Sequence, residues 1–210
     1  MEHNTTTIQE QMISESDFAI CKWLVRQGME NSINGLSRML GAELNIVDLE
    51  IQQIPLKETI DYLGGPDNTV IGIHLDILGD MRGHLLLVHD HKLAFQLIGY
   101  QMGSSPKHIS EFGEIELSLL SEMGNIVGAF FLNVLADATN LEISPSPPIL
   151  KIDTAIHIIK DATEKLINGQ HTQFIVKASF VTRNQQINGT FLIVPTMELM
   201  NRIVVRARNM

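Results

Sequence analysis

Two kinds of hydrophobic pattern alternate along the chain. Long stretches repeat apolar residues every three or four positions, as amphipathic helices do, and shorter stretches alternate apolar and polar residues, as half-buried strands do. The pattern predicts helices at 17–40, 56–63, 92–102, 114–138, 154–168 and 197–208, and strands at 44–54, 70–77, 84–89, 141–152, 174–182 and 190–194. Prolines interrupt the strand at 141–152, and turns at 79–83 and 183–189 join two pairs of strands as hairpins.

The same order of elements occurs twice: a long helix, a strand, a short helix, a hairpin and a final helix. Gly83 followed by HLLLV resembles Gly189 followed by TFLIV. A period of about 100 residues is too long for a solenoid unit, so the pattern indicates an internal duplication with pseudo-two-fold symmetry. We predict an α+β fold with an antiparallel six-stranded sheet covered by helices. One domain at 16–210, made of repeats at about 16–103 and 110–210, is expected to follow a flexible N-terminus at 1–15.

Composition and charge narrow the class of protein. Of the 210 residues, 44% are hydrophobic and 19% charged, with a formal net charge of −9 and a pI of about 5.3. A nucleic-acid partner is not expected, because phosphate contacts need clustered Lys and Arg. Cys21 is the single cysteine, so we expect no intrachain disulfide and a small core residue at this position. We expect no basic leader and no apolar run long enough for a bilayer, and therefore no membrane partner and a cytoplasmic location.

The predicted helix at 114–138 is strongly apolar, so its polar positions are informative. Ser118, Glu122 and Asn125 are spaced i, i+4 and i+7, which places them in one stripe that Ala129 extends. The opposite side is the predicted core face, made of Leu120, Met123, Val127, Phe131 and Val134.

Two glycines lie between these faces. Gly124 and Gly128 each cost about 1 kcal/mol in a helix interior, so their presence predicts that another backbone approaches closely. The first long helix is the predicted neighbour, because it has Gly28 and Ser32 at corresponding places.

On spacing alone, a glutamate and an asparagine one turn apart more often form a solvated helix face than a site. The segment SLLSEMGN at 118–125 nevertheless resembles the signature of the CheC/CheX/FliY phosphatases. That signature is Asp or Ser, three residues, Glu, two residues, Asn, twenty-two residues and a proline. The proline falls at Pro148, so all four positions match. CheC proteins also contain two such units in tandem, so the resemblance extends over most of the chain.

The resemblance implies a fold and an activity. The family fold is a pseudo-symmetric central antiparallel sheet with two long helices on one face. The implied activity is hydrolysis of the aspartyl phosphate of a CheY-like response regulator. Asn125 would enter the regulator's active site and Glu122 would contact its lysine, while the regulator holds Mg²⁺ and this chain needs no cofactor of its own. The alternative is a non-catalytic adaptor of the same fold that binds a response regulator or a CheD-like deamidase.

The first half lacks the signature. If the halves superpose, positions 118, 122 and 125 correspond to Lys22, Arg26 and Met29, and Gln52 stands where the proline is expected, with Pro55 nearest. We therefore predict one working site in the second half and a degenerate site in the first. A solvated basic face and a surface for a different partner are the alternatives for the first-half stripe.

Three histidines, His84, His89 and His91, lie near the end of a predicted strand. No acidic or cysteine ligand completes a metal set at a familiar spacing, so surface histidines are the favoured interpretation and no metal site is predicted. The sequence contains no Walker loop and no dinucleotide-binding glycine pattern.

Overall fold

Residues 14–81, 83–164, 172–184, 187–195 and 197–207 are described by a computed structural model. In these ranges six α-helices and seven strands follow one another, with a short 3-10 helix at Ile109–Glu111 before the fourth α-helix. Their bounds are α1 Glu15–Leu40, β1 Leu44–Pro55, α2 Leu56–Tyr62, β2 Thr69–Gly79, β3 Gly83–Asp90, α3 His91–Met102, α4 Glu114–Thr139, β4 Ile143–Pro145, β5 Ile149–Thr154, α5 Ala155–Glu164, β6 Thr172–Thr182, β7 Asn188–Pro195 and α6 Met197–Ala207.

The predicted elements recur with small shifts at their ends. Helix α1 begins at Glu15, and Ser14 caps it by accepting a hydrogen bond from the Asp17 N–H. Most of the predicted flexible N-terminus, residues 1–13, lies outside the described residues, as do the predicted helical residues 165–168 and 208.

The seven strands form one antiparallel sheet in which the two halves of the chain interleave. The strand order is β1-β6-β7-β3-β2, and β2 pairs on its other side with both β4 and β5. Exchanging β1 with β5, β2 with β6 and β3 with β7 gives the same order read from the other edge, as expected for a duplicated chain. The sheet has seven strands instead of the predicted six because Pro145, Pro147 and Pro148, which lack an N–H, divide the stretch 141–152.

Alternation along the strands builds one hydrophobic core on each face of the sheet. On β2, Ile71, Ile73 and Leu75 belong to the larger core, which α1, α3, α4 and α6 cover. Val70 belongs to the smaller core on the opposite face, where α2 and α5 pack. The two long helices therefore share one face of the sheet, as the family resemblance implies.

The two long helices pack together through small residues of α1. The ring of Phe131 fills the space beside Gly28, where a Cβ would come within 2.8 Å of it. The Ser32 hydroxyl lies 2.8 Å from the Gly28 carbonyl in its own helix and 2.8 Å from the Val127 carbonyl in α4, and it donates to one at a time. The predicted packing of the first long helix against the second is confirmed.

The glycines of α4 face the sheet and not α1. A Cβ on Gly124 would lie 2.6 Å from Ile73 Cδ1, and a Cβ on Gly128 would lie 2.2 Å from Leu75 Cδ1. The prediction that these glycines admit α1 is therefore wrong. They admit the large aliphatic side chains of β2, because α4 lies with this side on the sheet.

Helix α4 is long and apolar enough to cross a membrane by length and composition alone, contrary to our expectation for the sequence. Core helices pass the same test. Nine residues of α4 are buried, and the helix packs on α1 and on the sheet.

Candidate functional site

The polar stripe of α4 lies at the surface. Ser118 and Glu122 are exposed, and Asn125 is partly buried. Ile115 precedes Ser118 by one turn on the same side and is 68% exposed. Its spacing from Ser118 and Glu122 was the signal available for predicting it. A partner that docks here would meet a hydroxyl, a carboxylate, an amide and one apolar side chain.

The charge on this helix is entirely acidic. Helix α4 carries Glu114, Glu116, Glu122 and Asp137, and no Lys or Arg. Glu116 is engaged, since its carboxylate accepts a hydrogen bond from the Gly113 N–H at 2.9 Å. Within the described part of the chain, neither the Glu122 carboxylate nor the Asn125 amide has a hydrogen-bond or ion-pair partner. Both are available to a second molecule.

The residue between these two polar groups holds the stripe against the sheet. Gly124 lies on Ile73 of β2, and Ile73 pairs in register with Leu150 of β5. Pro148 comes two residues before Leu150, so the proline of the signature lies at the edge of the sheet over which α4 runs. Because Gly124 has no side chain, the backbone of α4 can lie directly against Ile73 of β2 at this point.

The loop that carries Pro148 is fixed to β2. The Ser146 N–H donates to the Asp76 carbonyl at 2.8 Å, and the Ser146 hydroxyl accepts from the Asp76 N–H at 3.0 Å. Pro147 and Pro148 follow, and each fixes its own φ. Pro148 is partly buried, and the residue after it, Ile149, pairs with His74 of β2, so the backbone is tied to β2 on both sides of the proline.

The predicted stripe of α1, made of Lys22, Arg26 and Met29, is exposed only in part. Lys22 and Arg26 are exposed, but Met29 is fully buried. Met29 follows Cys21 and Val25 at intervals of four residues and belongs to the buried stripe of the helix. The prediction that Met29 lies at the surface in the place of Asn125 is wrong, because Met29 belongs to the buried stripe of α1, whereas Asn125 is only partly buried.

The histidines are grouped differently from our expectation. His89 is 3% exposed, its Nδ1 lies 2.9 Å from the Asp90 carbonyl oxygen, and its ring packs edge-to-face on Phe191. The interpretation as a surface histidine is therefore wrong for His89, and burial lowers the pKa of its imidazole. His91 is partly buried, with Nδ1 3.4 Å from the Thr69 carbonyl oxygen.

His84 belongs to a cluster with His74 and Asp76 that sequence reasoning missed. Asp76 and His84 stand opposite each other in the β2–β3 hairpin, and His74 precedes Asp76 by two residues. Asp76 Oδ1 lies 2.5 Å from His84 Nδ1 and 3.0 Å from His74 Nε2. Partial burial opposes ionisation of Asp76, but hydrogen bonds with both imidazoles lower the pKa of its carboxyl. The available signal was a His-x-Asp pair on one strand and a histidine across the hairpin.

Cys21 is a buried residue of the larger core, as predicted. Burial, and then repulsion from Asp17, raise the pKa of its thiol to about 12. A protonated, enclosed thiol is a poor nucleophile.

Comparison with known proteins supports the signature. Residues 115–152 match the CheC-like family, a range that contains Ser118, Glu122, Asn125 and Pro148. The chain is 27% identical over 177 residues to the CheY-P phosphatase CheC of Bacillus subtilis (strain 168), covering 83% of this chain and 85% of that protein.

Solved structures share the fold. Thermotoga maritima FliY superposes with a TM-score of 0.74 at 16% identity, covering 94% of this chain and 98% of that one. The FliM middle domain from H. pylori superposes with a TM-score of 0.66 at 16% identity, covering 92% of this chain and 99% of that one. The same fold also occurs in the FliM–SpeE and FliG–FliM complexes of H. pylori. The resemblance to the CheC/CheX/FliY family is confirmed.

Proposed function

For a chain that is CheC-like in sequence and in fold, we propose that the α4 stripe hydrolyses the aspartyl phosphate of a CheY-like response regulator in the cytoplasm. One observation carries the proposal: Glu122 and Asn125 lie one turn apart at the surface, without partners in the described chain, inside the segment that matches the CheC-like family. The name of the B. subtilis relative, a CheY-P phosphatase, supports the class of reaction.

In the proposed reaction, Asn125 orients the attacking water. Phosphoryl transfer has a loose transition state with the attacking and leaving oxygens in line. A carboxamide has both a donor and an acceptor, so it can hold a water in line without titrating. The water oxygen attacks phosphorus, the bond from phosphorus to the aspartate oxygen breaks, and the proton of the water leaves with the phosphate. The products are inorganic phosphate and the free carboxylate of the regulator, which also holds the Mg²⁺.

Glu122 acts in this proposal as a docking group and not as a general base. A carboxylate beside a phosphoryl oxygen is repelled, whereas one beside a lysine ammonium makes a charge-assisted hydrogen bond. Helix α4 carries no Lys or Arg, so no cation of its own helix competes with a cationic partner group for Glu122. Ser118 and Ile115 extend the docking surface along the helix.

The test is phosphate release from a CheY-like regulator phosphorylated by acetyl phosphate in the presence of Mg²⁺. The wild-type chain should accelerate release, and Asn125→Ala should lower the acceleration by about 10²-fold or more, because the water loses its positioning group. Asn133→Ala is the matched control, since Asn133 is exposed on the same helix outside the signature, and it should retain the wild-type rate. A wild-type chain that does not accelerate release, or equal rates for Asn125→Ala and wild type, would refute the proposal.

A second candidate is the adaptor, which binds a response regulator or a CheD-like deamidase without catalysis. The exposed face of α1 favours it, because Trp23 is 61% exposed beside the exposed Lys22 and Arg26, and aromatic and Arg side chains are enriched in interfaces. An adaptor would bind a regulator loaded with beryllofluoride and leave phosphate release unchanged. Acceleration that depends on Asn125 would exclude a purely adaptor role.

A further inference from the structure

The cluster of His74, Asp76 and His84 brings together the ligand types that Zn²⁺ prefers. Two imidazole nitrogens and one carboxylate oxygen lie within 4.8 Å of one another, and two protein strands hold them. Zn²⁺ binds nitrogen and oxygen at about 2.0–2.2 Å in tetrahedral geometry, so its ligand atoms lie roughly 3.3 Å apart. The observed separations of 2.5 and 3.0 Å from Asp76 Oδ1 come within 1 Å of that value, and small side-chain rotations can open them.

The sheet supports this arrangement. Asp76 and His84 are paired directly across the hairpin, and His74 lies on the same face two residues away, so all three ligands come from a rigid part of the fold. The side chains of His74, His84 and Asp76 are 12%, 28% and 43% exposed. The cluster is therefore half enclosed and half open to solvent, which leaves space for a fourth ligand such as water.

The surroundings do not oppose a cation. His74 also lines a groove of about 280 Å³ whose only charged neighbours among the described residues are Lys151 and Asp161. The Lys151 ammonium lies 3.4 Å from Asp153 and also contacts the Asp161 carboxylate. Its charge is thus balanced by two carboxylates.

We propose that His74, Asp76 and His84 bind a divalent transition metal, with Zn²⁺ as the preferred ion and a water in the fourth position. Three protein ligands with one open position are the usual coordination of an accessible zinc site. The metal would also tie the end of the β2–β3 hairpin to the β4–β5 loop, because the Asp76 backbone holds Ser146. Bound Zn²⁺ should therefore stabilise the edge of the sheet that carries Pro148. This site is separate from the α4 stripe, so the proposal does not depend on the phosphatase activity.

The experiment uses the 210-residue chain without an affinity tag, stripped of metal with a chelator that is then removed. Zn²⁺ binding is measured by calorimetry and by competition with a chromogenic zinc indicator. The variants are His84→Gln and Asp76→Asn, which keep size and hydrogen bonding. The matched control is His157→Gln, because His157 is an exposed histidine whose Nδ1 lies 3.0 Å from the single carboxylate of Asp153.

The wild-type chain and His157→Gln should each bind one Zn²⁺ and unfold at a higher temperature when it is present. Both cluster variants should bind at least about tenfold more weakly, since even ligand-supporting residues change metal affinity by about 10–100-fold. Co²⁺ in the wild-type chain should give the intense visible bands of a tetrahedral site, which requires no variant to fold. Absence of saturable Zn²⁺ binding, equal affinities in all four chains, or an octahedral Co²⁺ spectrum would each overturn the proposal, and the cluster would then be a hydrogen-bonded pair of histidines on Asp76.

Discussion

Replacing Gly124 by alanine adds one methyl group between the two polar residues of the α4 stripe. A Cβ at this position would lie 2.6 Å from Ile73 Cδ1, 2.7 Å from Cγ2 and 3.2 Å from Cβ. These atoms include the branch point of a β-branched side chain, so rotating the end of Ile73 cannot remove all the clashes. Either α4 moves away from β2 or Ile73 leaves its rotamer.

Two opposing effects set the size of the change in stability. Alanine gains about 1 kcal/mol over glycine in a helix interior, whereas an extra methyl group in a packed core costs about 1–3 kcal/mol. For Gly124→Ala we therefore expect the free energy of unfolding to fall by up to about 2 kcal/mol. Gly99→Ala is the matched control: Gly99 lies within α3, and the nearest atom to its added Cβ would be Ser105 Cβ at 3.4 Å. Gly99→Ala should raise the free energy of unfolding by about 1 kcal/mol, so the two variants should differ only by the steric cost of the contact with Ile73.

The free energy of unfolding is measured by urea titration followed by far-UV circular dichroism. Phosphate release should also fall for Gly124→Ala, because a displaced α4 misplaces Asn125, while Gly99→Ala should keep the wild-type rate. Equal and stabilising changes in the two variants would refute the close contact between α4 and β2. A destabilised Gly124→Ala with full activity would refute its role in positioning the stripe.

Four further predictions concern other groups. Glu122→Gln should lower phosphate release most at low ionic strength, because salt screens an exposed charge contact. Replacing Lys22 and Arg26 together with alanine should leave that rate within about twofold, since surface changes cost only about 0.5 kcal/mol. Stability should fall as the pH drops below 6.5, the ordinary pKa of histidine. His89 then gains a proton in the unfolded chain, whereas the lowered pKa of the buried imidazole excludes that proton from the folded chain, so the free energy of unfolding falls by up to about 1.4 kcal/mol per pH unit. Above pH 6.5 this contribution to stability is fully present. The Cys21 thiol should react with a chromogenic disulfide only after unfolding, because burial raises its pKa to about 12.

Each of these outcomes has a measurement that can contradict it. A Glu122→Gln defect of the same size at every salt concentration would argue against docking through charge. A large loss of phosphate release in the α1 double variant would reveal a second functional surface. Urea unfolding at several pH values should give a weaker acid dependence for His89→Gln than for wild type, and identical dependences would exclude His89 as its source. Rapid thiol reaction in the native chain would contradict the enclosure of Cys21.

Hydrophobic periodicity predicts the six α-helices and all the strands of the described chain except the pair β4 and β5. Helix α4 is one continuous apolar stripe with few polar positions, so the helical period alone indicates that Glu122 is exposed. The apolar pattern does not predict the division of 141–152 into β4 and β5, although each proline removes a ladder donor. The chemical roles of Glu122 and Asn125 stay predictions, since the position of a side chain does not by itself define a reaction.

Tertiary packing explains what the sequence could not predict. A glycine in a helix indicates that something approaches closely, but only the fold shows that Gly28 admits Phe131 whereas Gly124 admits Ile73. Alignment of the two halves predicts that Met29 lies at the surface. Burial of an apolar side chain is favourable, however, and the packing of α1 places Met29 in the core. The cluster of His74, Asp76 and His84 depends on which residues of β2 and β3 pair with each other. The sequence does not fix the length of the turn between these strands, so it does not fix their register.

The interleaved strand order also has a consequence for synthesis on the ribosome. Strand β1 pairs with β6, with Leu44 opposite Thr182 and Pro55 opposite Thr172, so its partner is made more than a hundred residues later. At about 5–20 residues per second, β1 waits on the order of ten seconds for the strand that covers its edge. Because unpaired edges invite association with other chains, nascent copies of this protein on one messenger are at risk of exchanging β6 strands. Cotranslational folding can therefore begin with the β2–β3 hairpin and α3, but the sheet closes only when the second half has left the ribosome.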